Sequence, residues 1–330
     1  MTSVIGVDLG GTKIAAASLR GSELSESTVE PTDRSSRDAL LDQIAHIVES
    51  VGDDDLAGVG IGVPSIVEFA TGRVVASVNI PLKDVPLRTA LGDRLGLPVY
   101  VDNDATVAAL AEAHDEELRL VAHNLVMLTI GTGVGGGIVL NGRIFRGSTG
   151  AAGELGHTII GADLHDSVLD AGDFPQPGSL EALAAGLALD KLAEGAVAQH
   201  PASALAELGD PPTGVGAVLA AQAGDETARR IVELWARRLG IGIANAINTF
   251  DPDEVVIGGG AAEAGELLLA PARAVASQYL VPGLGTQTAI RLAWHGVRAG
   301  VLGAALLAAH ELPAADQTSD SRPDTTEVAG

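Results

Sequence analysis

The chain of 330 residues contains no cysteine. Disulfides, thiolate metal sites and a thiol nucleophile are therefore excluded. Aromatic residues make up 2% of the sequence, so any core must be built from Val, Ile, Leu and Ala. Lysine is scarce, with only Lys13, Lys83 and Lys191, and the formal net charge is −23. Nucleic acid is a poor partner for such a surface, and so is an anionic membrane. No apolar run reaches membrane-spanning length without a glycine or a charge, and no signal peptide precedes the first strand. The composition leads to the expectation of a cytoplasmic protein, long enough for two domains. The acid excess fits salt adaptation and a GC-rich genome equally.

Glycine is abundant, at 42 residues, and it is clustered. The stretch Leu128 to His157 organises the rest. An apolar run, Leu125 to Ile130, reads as a buried strand. Gly131-Thr132-Gly133-Val134-Gly135-Gly136-Gly137 follows, then a strand from Gly137 to Leu140 and an Asn141-Gly142 hairpin turn. Gly131, Gly133 and Gly136 fit G-x-G-x-x-G, but a dinucleotide fingerprint needs a helix directly after the glycines, and a strand follows here. A P-loop sequence is absent as well. What the residues support is a glycine hairpin whose backbone N–H groups can approach a phosphate closely. A tight turn without a ligand fits the same residues.

The same device stands at the start of the chain: a strand from Val4 to Leu9, then Gly10-Gly11-Thr12-Lys13, then a strand from Ile14 to Leu19. Asp8 lies inside the first apolar run, where a buried carboxylate needs a partner or a metal. One device used in each half suggests two related halves facing one phosphate site.

Between the hairpins the pattern predicts a helix over Arg37–Val51, a strand from Ala57 to Val63 ending in Pro64-Ser65, a strand from Arg73 to Val78 followed by Asn79, and a helix over Leu87–Leu95. Asp102-Asn103-Asp104 then stand between a short strand, Val99–Val101, and a helix, Ala105–His114. Asp104 there suits an ordinary N-cap. Yet three acid or amide side chains in a row exceed what a cap requires, and ligands sit at the carboxyl ends of strands in open α/β sheets.

After the second hairpin come Gly153-Glu154-Leu155-Gly156-His157, with His157 placed at a strand start. Ser179 and Glu181 open an alanine-rich helical region running through Leu187; an N-cap and a helix-dipole acid describe these two residues equally well. Further helices are expected over Ser203–Leu208, Val215–Gln222 and Glu226–Phe250. Gly240 and Gly242 in the last mark close packing of a backbone or a ligand. A strand from Glu254 to Ile257 ends in Gly258-Gly259-Gly260. An apolar helix, Val297–Leu307, precedes a polar tail from Glu311 with little to bury, expected to be disordered.

Taken in order, VDLGGTK, DND, LTIGTGVGGG, GELGH and VVIGGG make the chain resemble the ROK sugar kinases of the actin-like and hexokinase-like ATPase superfamily, from about Val4 to Ala309. The resemblance implies an α/β, two-domain actin/hexokinase-like (ribonuclease H-like) fold with an interdomain cleft. Residues 1–117 plus about 296–310 would form the small domain, 118–295 the large one, and 311–330 the tail. It implies ATP-dependent phosphorylation of a hexose, in the first place glucose to glucose 6-phosphate, by a homodimer. Asp104 would be the general base. Asn79, Asn103, Asp104, Glu154, His157 and Glu181 would bind sugar hydroxyls. Gly10, Gly11, Thr12 and Lys13, with Gly131, Thr132 and Gly133, would hold the phosphates of ATP. Gly258, Gly259 and Gly260 would face the adenosine, and Asp8 would help place Mg²⁺ through water.

Two departures from the family pattern stand out. Pro64-Ser65 replaces the usual Pro-Gly near the sugar. The family's zinc cluster is also missing: its cysteine places fall on Gly172, Phe174 and Ser179, so no zinc is expected. The loop before Glu181 would be held by packing, through Leu164, Leu169 and Phe174; His157 with oxygen ligands from Asp163, Asp166 or Asp173 is the only zinc alternative left. Rival readings are a kinase for another hexose or an N-acetylhexosamine, polyphosphate as donor, and a non-catalytic sugar sensor or repressor. The family's repressors carry a helix-turn-helix ahead of the first strand.

Overall fold

A computed structural model describes residues 2–77, 79–161 and 174–313. The chain begins with strands β1 (Ser3–Leu9), β2 (Lys13–Arg20), β3 (Glu23–Leu24) and β4 (Thr28–Pro31), followed by helix α1 (Arg37–Val51). Ser36 caps α1 by accepting from the Ala39 N–H. Strand β5 (Leu56–Val63) leads to a three-stranded side sheet of β6 (Ser65–Glu68), β7 (Arg73–Ser77) and β8 (Val85–Pro86). Helix α2 (Leu87–Leu95), strand β9 (Val99–Asn103) and helix α3 (Asp104–Glu112) complete the first half.

The second half repeats the plan with β10 (Leu125–Ile130), β11 (Val134–Leu140) and β12 (Arg143–Ile144), then helices α4 (Leu180–Ala184), α5 (Gly186–Gln199), α6 (Gly214–Ala223) and α7 (Glu226–Phe250). Strand β13 (Glu254–Gly258), helix α8 (Glu266–Gln278), strand β14 (Ala289–Leu292) and helix α9 (Ala299–Glu311) follow. One sheet runs β3-β2-β1-β5-β9, with β4 beside β2, and the other β12-β11-β10-β13-β14. Orientation matches strand for strand. β1–β2 and β10–β11 are antiparallel hairpins, while β1–β5–β9 and β10–β13–β14 are parallel. The halves are thus two copies of one α/β topology, the actin/hexokinase-like plan.

Helices α3 and α9 pack together in a core that also takes in residues of both sheets, among them Val4, Met127 and Val256. With so few rings available, close approach replaces bulk. A Cβ at Gly60 on β5 would collide with the Ala304 carbonyl of α9, so helix and sheet meet backbone to backbone there. Gly240 of α7 likewise lies against the Ala272 backbone of α8, which accounts for a helical glycine.

Several expectations are corrected. The second strand of the later hairpin starts at Val134 rather than Gly137. His157 ends a short 3-10 turn, Leu155–His157, and starts no strand. The helix expected through Leu187 breaks at Ala185, whose ψ is 169°, because the Trp235 indole donates to the carbonyls of Ala184 at 2.7 Å and Ala185 at 3.1 Å. Helix α5 then restarts. Residues 204–207 form only a 3-10 turn. Glu311 belongs to α9 and not to a tail. Residues 314–330 lie outside the described residues, as do Asp163, Leu164, Asp166, Leu169, Gly172 and Asp173. Among the described residues no helix is long and apolar enough to cross a membrane.

Candidate active site

The site is built at the carboxyl ends of β1, β5 and β9 and at the two glycine hairpins. In the first hairpin the Gly10 N–H donates to the Lys13 carbonyl at 2.9 Å. The Thr32 side chain and backbone N–H fasten the turn from outside, through the carbonyls of Gly10 and Thr12. The N–H groups of Gly11 and Thr12 have no partner among the described residues. In the second hairpin the Gly131 N–H donates to the Gly133 carbonyl at 2.9 Å, and the N–H groups of Thr132 and Gly133 are the uncommitted pair. Each turn therefore offers two adjacent backbone donors, the arrangement that holds an anion. Asn79 stands against the first turn; a Cβ on Gly11 would come within 3.1 Å of its Cβ.

Asp104 is the first residue of α3, with Asn103 as the cap. The Asn103 side-chain oxygen accepts from the Thr106 N–H at 3.1 Å, and its amide reaches the Ser65 carbonyl at 3.4 Å. The Asp104 carboxylate accepts from the Ala105 N–H at 2.8 Å, with weaker support from its own N–H and the Asn103 side chain. Burial pushes the Asp104 carboxyl up to about 6, the nearby charge of Asp8 adds to this, and the Ala105 bond opposes it. Asp8 is also raised by burial, with Lys13 the opposing charge. Its carboxylate lies at the first turn of α9, where a Cβ on Gly300 would stand 2.5 Å from Asp8 Oδ2. Two half-buried carboxylates thus lie near enough to repel each other, and an opposite charge or an incoming proton relieves them.

The structure separates Asp102 from this pair. Its side chain, 2% exposed, accepts from Arg146 Nε at 2.7 Å and from the Asn103 N–H at 2.9 Å. The sequence run of three polar residues therefore divides: one acid turns to an arginine, and two side chains stay at the strand–helix junction.

Strand β11 links Asp104 to the rest. A Cβ on Gly135 would lie 3.4 Å from Ala105 Cβ, and Gly156 packs on Val134. Glu154 and His157 flank that glycine, with His157 Nε2 and Glu154 Oε2 3.6 Å apart. Glu154 is half exposed, and the His157 ring meets Phe174 edge-on at 5.2 Å. Phe174 itself is exposed, so it is no buried anchor for the loop. Glu181 accepts from the Val134 N–H through Oε2 at 2.8 Å, which leaves Oε1 unused among the described residues. One carboxylate can thus fasten the second hairpin and still accept from a ligand hydroxyl. The Ser65 hydroxyl is buried and has no partner among the described residues.

Beyond the second turn opens a cavity of about 430 Å³, lined by Gly131, Thr132, Gly260 and apolar side chains including Leu187, Val215 and Leu219. Of the third glycine cluster, Gly260 lines it, Gly259 packs on Ile130 and Gly258 on Met127. Leu187, Val215 and Leu219 are more than half exposed. They escaped sequence reasoning because an apolar residue on a helix face reads as core until a neighbour fails to cover it. Among the described residues no group of three or more His, Cys, Asp or Glu side chains could hold a metal ion.

Residues 4–311 match the family model described as ROK family. A glucokinase of Halalkalibacterium halodurans is 36% identical over 318 residues, covering 91% of this chain and 92% of that protein. A xylose repressor of Caldicellulosiruptor bescii is 37% identical over 225 residues, 68% of this chain and 55% of that protein. Among solved structures, a ROK family glucokinase from Streptomyces griseus in complex with glucose and AMPPNP aligns with a TM-score of 0.74 at 31% identity, over 93% of this chain and 99% of that chain.

Proposed function

The chain belongs to the ROK family, and on that premise we propose that it is an ATP-dependent hexose kinase acting on glucose. The observation that carries the reading is Asp104: a half-buried carboxylate with its pKa pushed up to about 6, beside a helix cap and between two turns that each offer paired N–H donors. A pKa just under neutrality leaves the group ionised at pH 7 and still able to accept a proton, which suits a general base. Binding alone needs no such base, so the non-catalytic sensor explains less.

In the reaction, Asn79, Asn103, Glu154, His157 and Glu181 hold the sugar hydroxyls, with carboxylates and amides as acceptors and the imidazole as a further partner. Glu181 Oε1 is the free acceptor on the hairpin side. Gly11 and Thr12, with Thr132 and Gly133, donate to phosphate oxygens, and Lys13 adds charge. The adenine lies in the apolar cavity beyond Gly260. As the sugar hydroxyl oxygen attacks the γ-phosphorus, its proton passes to Asp104. The new P–O bond forms as the bond to the bridging oxygen breaks, and ADP leaves. Two-sided positioning supplies most of the rate, since phosphoryl transfer needs little covalent help.

Mg²⁺ is part of the proposal. Asp8 is an oxygen donor of the type Mg²⁺ takes; it is half-buried, with desolvation opposing its charge, and it lies beside the first phosphate turn. Asp8 would hold the ion through water, and the ion would offset the charge of the phosphates. We also expect a homodimer, to be checked by light scattering.

The test is a coupled ADP-release assay over glucose, mannose, fructose, allose and N-acetylglucosamine, with ATP and polyphosphate as alternative donors. Glucose and ATP should give the largest kcat/KM. ADP release that no hexose stimulates would overturn the kinase reading, and a preference for polyphosphate or an N-acetylated sugar would replace its substrate assignment.

A further inference from the structure

We propose that Arg146 is a positioning residue for the phosphoryl acceptor, fixing the strand end that presents Asn103 and Asp104 together with the loop that leads to Glu154 and His157. The inference rests on the kinase reading above.

Arg146 directly follows the short strand β12 and the residue Phe145, so it starts in the second sheet's half. Its guanidinium crosses to the first. Nε donates to Asp102 Oδ2 at 2.7 Å, at the end of β9. Nη2 donates to Glu311 Oε1 at 3.1 Å, at the last residue of α9. The guanidinium carbon lies 3.4 Å from the centre of the Phe69 ring, just beyond β6. One side chain therefore engages three segments of the N-terminal and C-terminal parts of the chain.

The contact passes on to the base. Asp102 uses its second oxygen, Oδ1, to accept from the Asn103 N–H at 2.9 Å. Asn103 is the cap of α3, and its own side chain fixes both the Thr106 N–H and the Ser65 carbonyl. The orientation of Asp104, first residue of that helix, follows from this series. On its other side, the Arg146 carbonyl accepts from the Ala152 N–H at 3.1 Å. That bond closes the loop just ahead of Glu154. The same loop touches the first half again at Gly150, which packs on the Val67 carbonyl.

Stability alone does not explain the arrangement. Taking an ion pair this far out of water has a desolvation cost that cancels much of its attraction. Burial raises the Asp102 carboxyl, and Arg146 opposes that. What the pair supplies is a fixed geometry between two parts of the sugar site that come from different sheets. Misplacement of a reacting group by about 1 Å can cost roughly 100-fold in rate, so the effect should appear on the sugar side of the kinetics.

The experiment compares the wild-type chain with Arg146→Gln, Arg146→Lys and Asp102→Asn, using the hexose that the wild type turns over fastest. Assays are run well below each variant's Tm. Arg146→Gln and Asp102→Asn should each lower kcat/KM for the sugar by roughly 10- to 100-fold and weaken sugar binding in calorimetry, with KM for ATP unchanged. The double variant should lose no more than either single one, because both break the same link. Arg146→Lys should recover part of the loss. A purely structural pair would lower Tm and leave kcat/KM for the sugar intact at the lower temperature; that result, or an equal rise in KM for ATP, would overturn the proposal. Inactivity of the wild type with every hexose would overturn the kinase reading and this inference with it, whereas an active wild type with unaffected variants sinks this inference alone.

Discussion

The two glycine hairpins hold equivalent places in equivalent sheets and differ in what stands behind them. Asp8 pairs across its hairpin with Ala15 and beside Gly62; Thr129 pairs with Gly135 and beside Gly258. The first hairpin thus carries a half-buried acid where the second carries a hydroxyl. The second hairpin receives its acid from outside, through Glu181 on the Val134 N–H. For a chain of net charge −23 the difference is instructive. On the proposed kinase reading, a second acid in the strand would add to the repulsion of the ATP phosphates. The duplicated architecture is therefore unequal: the first turn combines donors with an acid and Lys13, and the second offers donors beside Glu181, which keeps one oxygen unused among the described residues.

The largest effect is expected at Asp104, where the helix between the two hairpins begins. Asp104→Asn should lower kcat by at least about 100-fold, as for loss of a general base, with sugar binding retained in calorimetry. The same variant should be more stable above neutrality. The folded pKa of about 6 lies above the ordinary 3.8, so between those values the folded state binds more protons than the unfolded one. Stability therefore falls as pH rises through that window, and above it the full cost of the buried charge is present, on the order of 3 kcal/mol at 1.36 kcal/mol per unit. A Tm difference between variant and wild type that is large at pH 8 and shrinks toward pH 4 is the expected outcome. In the wild type, kcat should fall as pH drops through about 6. A variant with near wild-type turnover would remove Asp104 from the mechanism.

The next test sets one hairpin against the other. Asp8→Asn should lower kcat by about tenfold or more and raise the Mg²⁺ concentration needed for half-maximal rate, because a neutral amide is a weaker ligand for a hydrated hard cation. Thr129→Val, at the matching place, should leave the Mg²⁺ dependence unchanged. Equal Mg²⁺ shifts in both variants would erase the asymmetry drawn above.

Such asymmetry was only partly legible in the sequence. The hairpins could be read because apolar runs, glycine clusters and the Asn141-Gly142 turn are local signals; Asn141 and Gly142 do adopt φ of 54° and 73°. Helix α7 could be read from end to end because Asp225 caps it and Asp251 ends it with a φ of 42°. The break at Ala185 was hidden, since an alanine-rich run carries no breaker and Trp235, which imposes the break, comes fifty residues later. Strand β14 is a short, half-buried edge, and α8 has Pro271 inside it, so neither gives a clean period. The junction at Asn103 and Asp104 could be read because a polar cluster between a strand and a helix is a local pattern. The departure of Asp102 toward Arg146 depends on a contact between distant segments, and nothing in DND marks which acid turns away. The cavity beside Gly260 is likewise assembled from helices far apart in sequence.

A smaller effect should distinguish two glycines of one turn. A Cβ on Gly133 would stand 2.5 Å from Glu181 Oε2, whereas one on Gly131 would meet nothing within 4 Å. Gly133→Ala should lower stability by about 1–3 kcal/mol, as for other overpacked sites, and raise KM for the sugar by displacing Glu181. Adding Glu181→Ala to Gly133→Ala should cost little further stability, because the clamp on the Val134 N–H is already displaced, and should leave the KM raised. Gly131→Ala should leave Tm nearly unchanged. If both glycine variants lowered Tm alike, the contact with Glu181 would not be what sets the second hairpin apart.

The smallest expected effect concerns zinc, and it bears on what holds the second hairpin. A structural zinc site takes four ligands, commonly thiolates with a histidine, and its binding energy is folding energy. A chain without cysteine cannot form a site of that kind. In this chain Glu181 fastens the hairpin at Val134, Gly156 packs on the same residue, and His157 stands by Glu154 with the edge of Phe174 against it. Those contacts orient His157 without a metal, and on the proposed reading leave it for the sugar. A zinc-selective chelator in excess Mg²⁺ should leave turnover and Tm unchanged, and metal analysis of purified protein should find zinc far below one equivalent. Removing Mg²⁺ should abolish turnover, because that ion acts on the phosphates and not on the fold. Stoichiometric zinc, or activity lost to the chelator and restored by zinc, would mean that His157 binds a metal with oxygen ligands after all. The carboxylate of Glu181 would then no longer suffice as the clamp that distinguishes this hairpin from the first.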